Sequence, residues 1–175
     1  MIDLIRSGVP RSDRVWADLG AGSGNFTFAL RALLDSTATI YAIDRDGGAV
    51  RTLEQRVRSD PRGAAIQPMR ADFTTPLDLP PLDGVLVANA LHFVRDQAAA
   101  LDQIAHLIRP GGRLLVVEYE LERWRPWVPV PLPFDRFNTL AIAAGLRDPT
   151  MVGQRRSPST GVVLYAATAI KPDNQ

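Results

Sequence analysis

Three glycines at alternate positions, Gly20, Gly22 and Gly24, stand between a short apolar run ending at Leu19 and an amphipathic stretch beginning at Asn25. Glycine at a strand-to-helix junction frees the backbone and lets a ligand approach the main chain, which makes it a nucleotide signal when spacing and neighbours agree. The spacing is G-x-G-x-G. The dinucleotide fingerprint G-x-G-x-x-G needs a glycine at 25, where Asn25 stands, so the nicotinamide and flavin pattern is not met. Asp18 lies just before the first glycine. A carboxylate there repels a pyrophosphate and attracts a cationic amino-acid group. Asp44 closes the run Ile40 to Ile43, 20 residues after Gly24. In doubly wound sheets that position accepts hydrogen bonds from ribose hydroxyls. Asp72 ends the next strand-like segment. Three carboxylates therefore end three successive strands or their approaches, where open α/β sheets bind ligands.

The elements that position these residues alternate in type. Residues 14–19, 39–43, 66–71, 84–88 and 113–117 read as strands, and 160–169 as a final one, with a weaker strand near 150–153. Phe26, Leu30, Leu33 and Leu34 share one helix face, as do Val50, Leu53 and Val57, and Leu101, Ile104, Ala105 and Ile108. Pro110-Gly111-Gly112 stops the third of these helices. Strand–helix alternation implies right-handed crossovers and a largely parallel sheet. The runs 85–88 and 114–117 are apolar at every position, as in strands covered by helices on both faces. The fold class is thus α/β, a three-layer α/β/α sandwich. Residues 122–134 hold two tryptophans and four prolines, which exclude helix interior and central strand and predict an ordered loop. A helix over 135–144 follows, capped by Gly145.

Composition bounds the rest. The 175 residues fit one domain, 1–175, with a short N-terminal segment 1–13. No run approaches the roughly 18 apolar residues of a membrane helix, and no leader of secretory type opens the chain, so cytoplasmic residence is the expectation. There is no cysteine and there are two histidines, His92 and His106. Thiolate chemistry and multi-histidine metal sites are excluded, and a metal-independent reaction is expected. A net charge of +1 gives no nucleic-acid signal. Arg155-Arg156 and Arg123/Arg125 read as solvated positive spots.

From residue 14 to 118 the sequence resembles the class I S-adenosylmethionine-dependent methyltransferases, in particular their small-molecule branch. Asp18-Leu19-Gly20-Ala21-Gly22-Ser23-Gly24 matches the family's first motif, E/D-x-G-x-G-x-G, and Ala42-Ile43-Asp44-Arg45 is similar to its second-strand acidic motif. Arg70-Ala71-Asp72-Phe73, the run 83–92 and Leu107-Ile108-Arg109-Pro110-Gly111-Gly112-Arg113-Leu114 resemble its adenine segment, fourth strand and fifth-strand entry. The resemblance implies a Rossmann-like, seven-stranded, mostly parallel sheet with one antiparallel strand, supplied by 160–169. It implies S-adenosylmethionine as cofactor and S-adenosylhomocysteine as product. Gly20, Ala21, Gly22 and Gly24 would let the backbone approach the cofactor, with Asp18 placing its ammonium. Asp44 would hold the ribose, Arg45 flank the adenine, Asp72 and Phe73 contact it, and Asn89 border the methionine portion.

The acceptor side is less specified. Asn89-Ala90-Leu91-His92 is not the (D/N/S)-P-P-(Y/F) motif of enzymes that methylate planar amide or base nitrogens. His92, just past the fourth strand, is the candidate general base. Glu118 and Tyr119 after the fifth strand, and Trp124 and Trp127 in the loop, are candidate pocket residues. With only the short segment 1–13 before the strand that leads into the first motif, either the site is open, or the 122–134 loop or a second subunit, as in a homodimer, closes it. The leading function is in-line methyl transfer to a small-molecule acceptor. The alternatives are an NAD(P)-dependent oxidoreductase and a non-catalytic S-adenosylmethionine-binding partner subunit.

Overall fold

The computed structural model describes residues 1–173. Seven strands form one sheet: β1 (Val15–Leu19), β2 (Thr39–Asp44), β3 (Ala65–Arg70), β4 (Leu82–Ala88), β5 (Ile108–Tyr119), β6 (Arg147–Arg156) and β7 (Val163–Ile170). Their order is β3-β2-β1-β4-β5-β7-β6. Strands β1 to β5 pair in parallel, and β7 runs against both its neighbours, so the one reversed strand makes two antiparallel pairings. The helices are α1 (Ile2–Ile5), α2 (Asn25–Arg31), α3 (Gly47–Ser59), α4 (Gln97–Leu107) and α5 (Phe134–Ala143).

Alternation along each strand divides the core in two. Leu4 and Ile5 of α1, Ala29 and Leu30 of α2 and Leu53 of α3 pack with Trp16, Leu86, Leu115 and Ala166 on one face. Leu101 and Ile104 of α4 and Phe137 and Ala141 of α5 pack with Ala17, Val85, Val116 and Tyr165 on the other. The three expected layers are present. They explain why 85–87 and 114–117 are apolar throughout, since every one of those side chains is fully buried. Gly84 lies beside Trp16 in the β1–β4 ladder, and a Cβ there would enter the indole ring. The glycine makes room for the largest buried side chain of that face.

Three sequence expectations shift. Pro110-Gly111-Gly112 does not stop a helix. α4 already ends at Leu107, and the segment lies inside β5 as an irregularity opposite Leu82 to Gly84. Gly111, at φ +72°, donates its N–H to Lys171 O at 2.9 Å, and Lys171 N–H returns to Gly112 O at 2.8 Å. The helix expected to reach Leu34 ends at Arg31. The weak strand near 150–153 is the ten-residue edge strand β6. The proline-rich loop is ordered as expected: Val130 N–H bonds His92 O at 3.0 Å, and Tyr165 O–H donates to Leu132 O at 2.7 Å.

Candidate functional site

β1 ends by delivering Asp18 to the α2 face, where its carboxyl is almost fully buried. One oxygen, Oδ2, accepts from Thr27 Oγ1 at 2.6 Å, and Oδ1 has no partner among the described residues. Burial pushes the Asp18 carboxyl up to about 7; the Thr27 hydroxyl opposes this and the Asp44 charge adds to it. A cation placed at Oδ1 would reverse the shift and ionise the group.

The chain then turns over the sheet edge. Gly20 takes φ +74°, and a Cβ there would come within 2.5 Å of Ala90 Cβ, so both backbone shape and space require glycine. The loop is tied to β2: Gly20 N–H donates to Ile43 O at 2.8 Å, and Gly22 N–H donates to Asp44 Oδ2 at 2.8 Å. The other Asp44 oxygen accepts from Asp46 N–H at 2.8 Å. Each carboxylate oxygen keeps a second lone pair, so Asp44 can hold the loop and still accept from a ligand. Asp72 Oδ1 accepts from Thr74 Oγ1 at 2.7 Å and from its N–H at 2.9 Å, bonds that hold this carboxyl below its usual range. Asn89, at the end of β4, is left-handed at φ +53°, and its Oδ1 is buried without a partner among the described residues.

Two cavities meet on this edge. The first, of about 510 Å³, is lined by Asp44, Arg45, Asp72 and Phe73, and by Phe93, Val94, Arg95 and Asp96 from the segment after β4. The second, of about 410 Å³, is lined by Asp18, Ala21, Gly22 and Tyr119, and by Met1, Leu4, Arg155, Ser157 and Ser159. Gly20 and Asn89 border both. The structure thus brings nine of the ten cofactor residues expected from sequence onto the walls of these two adjoining cavities. Gly24 is the exception. At φ +91° it borders neither cavity, and a Cβ there would strike Leu53, so it serves the packing of α2 on α3.

The acceptor-side expectations divide. Tyr119 lines the second cavity. Glu118 does not: it is fully buried on the opposite face, with Oε2 at 2.6 Å from His92 Nδ1 and Oε1 accepting the His92 N–H at 3.2 Å. His92 is itself 2% exposed and borders neither cavity. Its ring centroid lies 6.0 Å from that of Tyr119, one side chain behind the cavity wall. Trp124 and Trp127 stand exposed and also border neither cavity. The loop that carries them packs on the α4–α5 side, so it does not cover the second cavity; α1 and the β6–β7 hairpin do. Sequence reasoning missed these walls. α1 is four residues long and shows no period, and Arg155 reads as a surface charge.

A family model described as a methyltransferase domain matches residues 17–114. The ubiquinone biosynthesis O-methyltransferase of Xylella fastidiosa is 32% identical over 120 residues, 66% of this chain and 46% of that protein. The chain spans about half the length of the curated relatives it matches. An S-adenosylmethionine-dependent methyltransferase from Methanosarcina mazei superposes with a TM-score of 0.77 at 13% identity, over 95% of this chain and 96% of that one. The N-methyltransferase NodS of Bradyrhizobium japonicum, in complex with S-adenosylhomocysteine, gives a TM-score of 0.75 at 20% identity, over 97% and 82%. Both structures share the fold.

Proposed function

The chain belongs to the methyltransferase-domain family, and from that premise we propose that it binds S-adenosylmethionine across the two cavities and methylates a small-molecule acceptor. The observation that carries the reading is a pair of buried, unpartnered acceptors, Asp18 Oδ1 and Asn89 Oδ1, on the wall of one cavity. A buried acceptor without a donor costs about 1–3 kcal/mol, which a ligand ammonium offsets by donating to it. Asp44 accepts the ribose hydroxyls with its remaining lone pairs. Asp72 and Phe73 hold the adenine in the first cavity, with Arg45 at its rim. Gly20 and Gly22 keep the main chain low enough for this contact.

The bound cofactor would supply an electrophilic methyl group on a sulfonium. The chain's residues have then to align the acceptor and exclude water. Tyr119 and the hairpin form the wall on the acceptor side. Glu118 fixes His92 behind that wall through Nδ1, so we assign His92 the role of holding Tyr119 and the β4 end in place. The relatives include a protein named for O-methylation in ubiquinone biosynthesis, which supports a small-molecule acceptor here.

The test is incubation with S-adenosylmethionine and pools of small-molecule acceptors, reading S-adenosylhomocysteine by mass spectrometry. Product release that depends on one pool is expected. Cofactor binding without release from any pool would favour the non-catalytic partner reading.

A further inference from the structure

We propose that the β6–β7 hairpin forms an anion-binding end of the acceptor pocket, so that the methyl acceptor carries a carboxylate or phosphate held by Arg155. The inference rests on the proposed function, which places the cofactor over Gly20 and Gly22.

Arg155 pairs with Leu164 in the β6–β7 ladder, and both side chains line the second cavity. Strand alternation sends the next residue, Arg156, elsewhere: its guanidinium donates to Gly161 O at 3.0 Å and closes the hairpin. The Arg155 side chain makes no ion pair or hydrogen bond among the described residues. Two hydroxyls stand beside it on the same wall, Ser157 and Ser159, with their oxygens 3.1 Å apart. Ser157 is buried, and its backbone is fixed by Ser157 N–H to Val162 O at 2.8 Å and Gly161 N–H to Ser157 O at 2.8 Å. An unpaired guanidinium with two hydroxyls in a cavity is a donor set for an oxyanion. Leu4, Tyr119 and Leu164 line the same cavity and would take an apolar body.

The anion belongs to the acceptor because of where β6 lies. In the order β3-β2-β1-β4-β5-β7-β6, four strand spacings separate β1 from β6. At about 4.8 Å each they amount to roughly 19 Å across the sheet. The only carboxylate on this cavity wall among the described residues, Asp18, is at the β1 end, and Arg155 is at the other. An amino-acid group seated on the loop after β1 ends well short of β6. A second molecule between them, over Tyr119 and Leu164, brings its methylated atom toward Gly20 and Asn89 and its anion toward Arg155.

The experiment is calorimetric titration of the chain saturated with S-adenosylhomocysteine. Phenylacetate and phenyl phosphate are the anionic probes, and phenylacetamide is the neutral one. The wild-type chain should bind at least one anion ten-fold or more tightly than the amide. Arg155→Gln should erase that preference and leave both Tm and S-adenosylhomocysteine affinity unchanged. Equal affinity for anions and amide in the wild type, or a preference that survives the substitution, overturns the proposal. A ten-fold loss of S-adenosylhomocysteine affinity in Arg155→Gln gives the guanidinium to the cofactor's own carboxylate and also overturns it. Failure of the wild type to bind S-adenosylhomocysteine, read before any probe is added, overturns the proposed function and this inference with it.

Discussion

Asp18 and Asp44 end adjacent strands, and their surroundings set them different tasks. Asp44 is tied by backbone N–H groups of the glycine loop and of the turn into α3. Asp18 is buried at the wall of the second cavity, with one oxygen without a partner among the described residues and a pKa pushed from 3.8 to about 7. A carboxyl raised on folding contributes stability that is complete below its unfolded value near 3.8 and lost as the pH climbs through 7. Asp18→Asn removes that dependence. Its Tm, relative to wild type, should therefore be higher at pH 8 than at pH 5 in thermal melts; an offset that ignores pH would contradict the buried, shifted carboxyl. Both aspartates were legible in the sequence, because a carboxylate that ends an apolar run beside glycines has few structural reasons to be there. Arg155 was not. An arginine pair on a polar stretch reads as solvated, and only the strand register shows that the two side chains diverge.

At the scale of elements, the junctions carry more than the strands and helices they join. Gly20 and Gly22 look equivalent in the motif, yet their surroundings differ. Alanine at 22 meets nothing within 4 Å and bears only the left-handed backbone penalty, about 1–2 kcal/mol. Alanine at 20 adds a collision with Ala90, about a further 1–3 kcal/mol of overpacking. Urea denaturation should rank Gly20→Ala clearly below Gly22→Ala, and equal costs would show that the loop does not press on the residues after β4. The strand–helix alternation and the two-sided burial of β4 and β5 were readable because hydrophobic period and the absence of polar interruptions are local properties. The Pro110-Gly111-Gly112 segment misled because proline and glycine usually end an element. Here the main-chain bonds from Lys171, a distant residue, draw it into β5.

For the whole molecule, the site is made where the ends of the chain return to the sheet. α1 lies against β6 and lends Leu4 both to the core and to the second cavity. Leu4→Ala should cost about 2–3 kcal/mol in denaturant unfolding, the low end for a buried leucine because the cavity already borders it; a change under about 0.5 kcal/mol would mean α1 only rests on the surface. The two hairpin strands were partly readable as local apolar runs, but the wall that α1 builds on β6 was not, since it depends on the approach of Leu4 to Gly153, about 150 residues apart in sequence. The proline-tryptophan loop was one of the covers the sequence allowed, beside a second subunit or an open site, and its hydrogen bonds to the His92 and Tyr165 regions commit it to the other face. The central claim, that the cleft over Gly20 and Asp44 holds S-adenosylmethionine, is tested most directly by calorimetric titration with S-adenosylhomocysteine. The wild-type chain should bind one equivalent, and Asp44→Ala should bind ten-fold or more weakly, since a bond to a charged acceptor is worth about 1.5–3 kcal/mol. No heat with S-adenosylhomocysteine, or equal affinity in the two proteins, would contradict it.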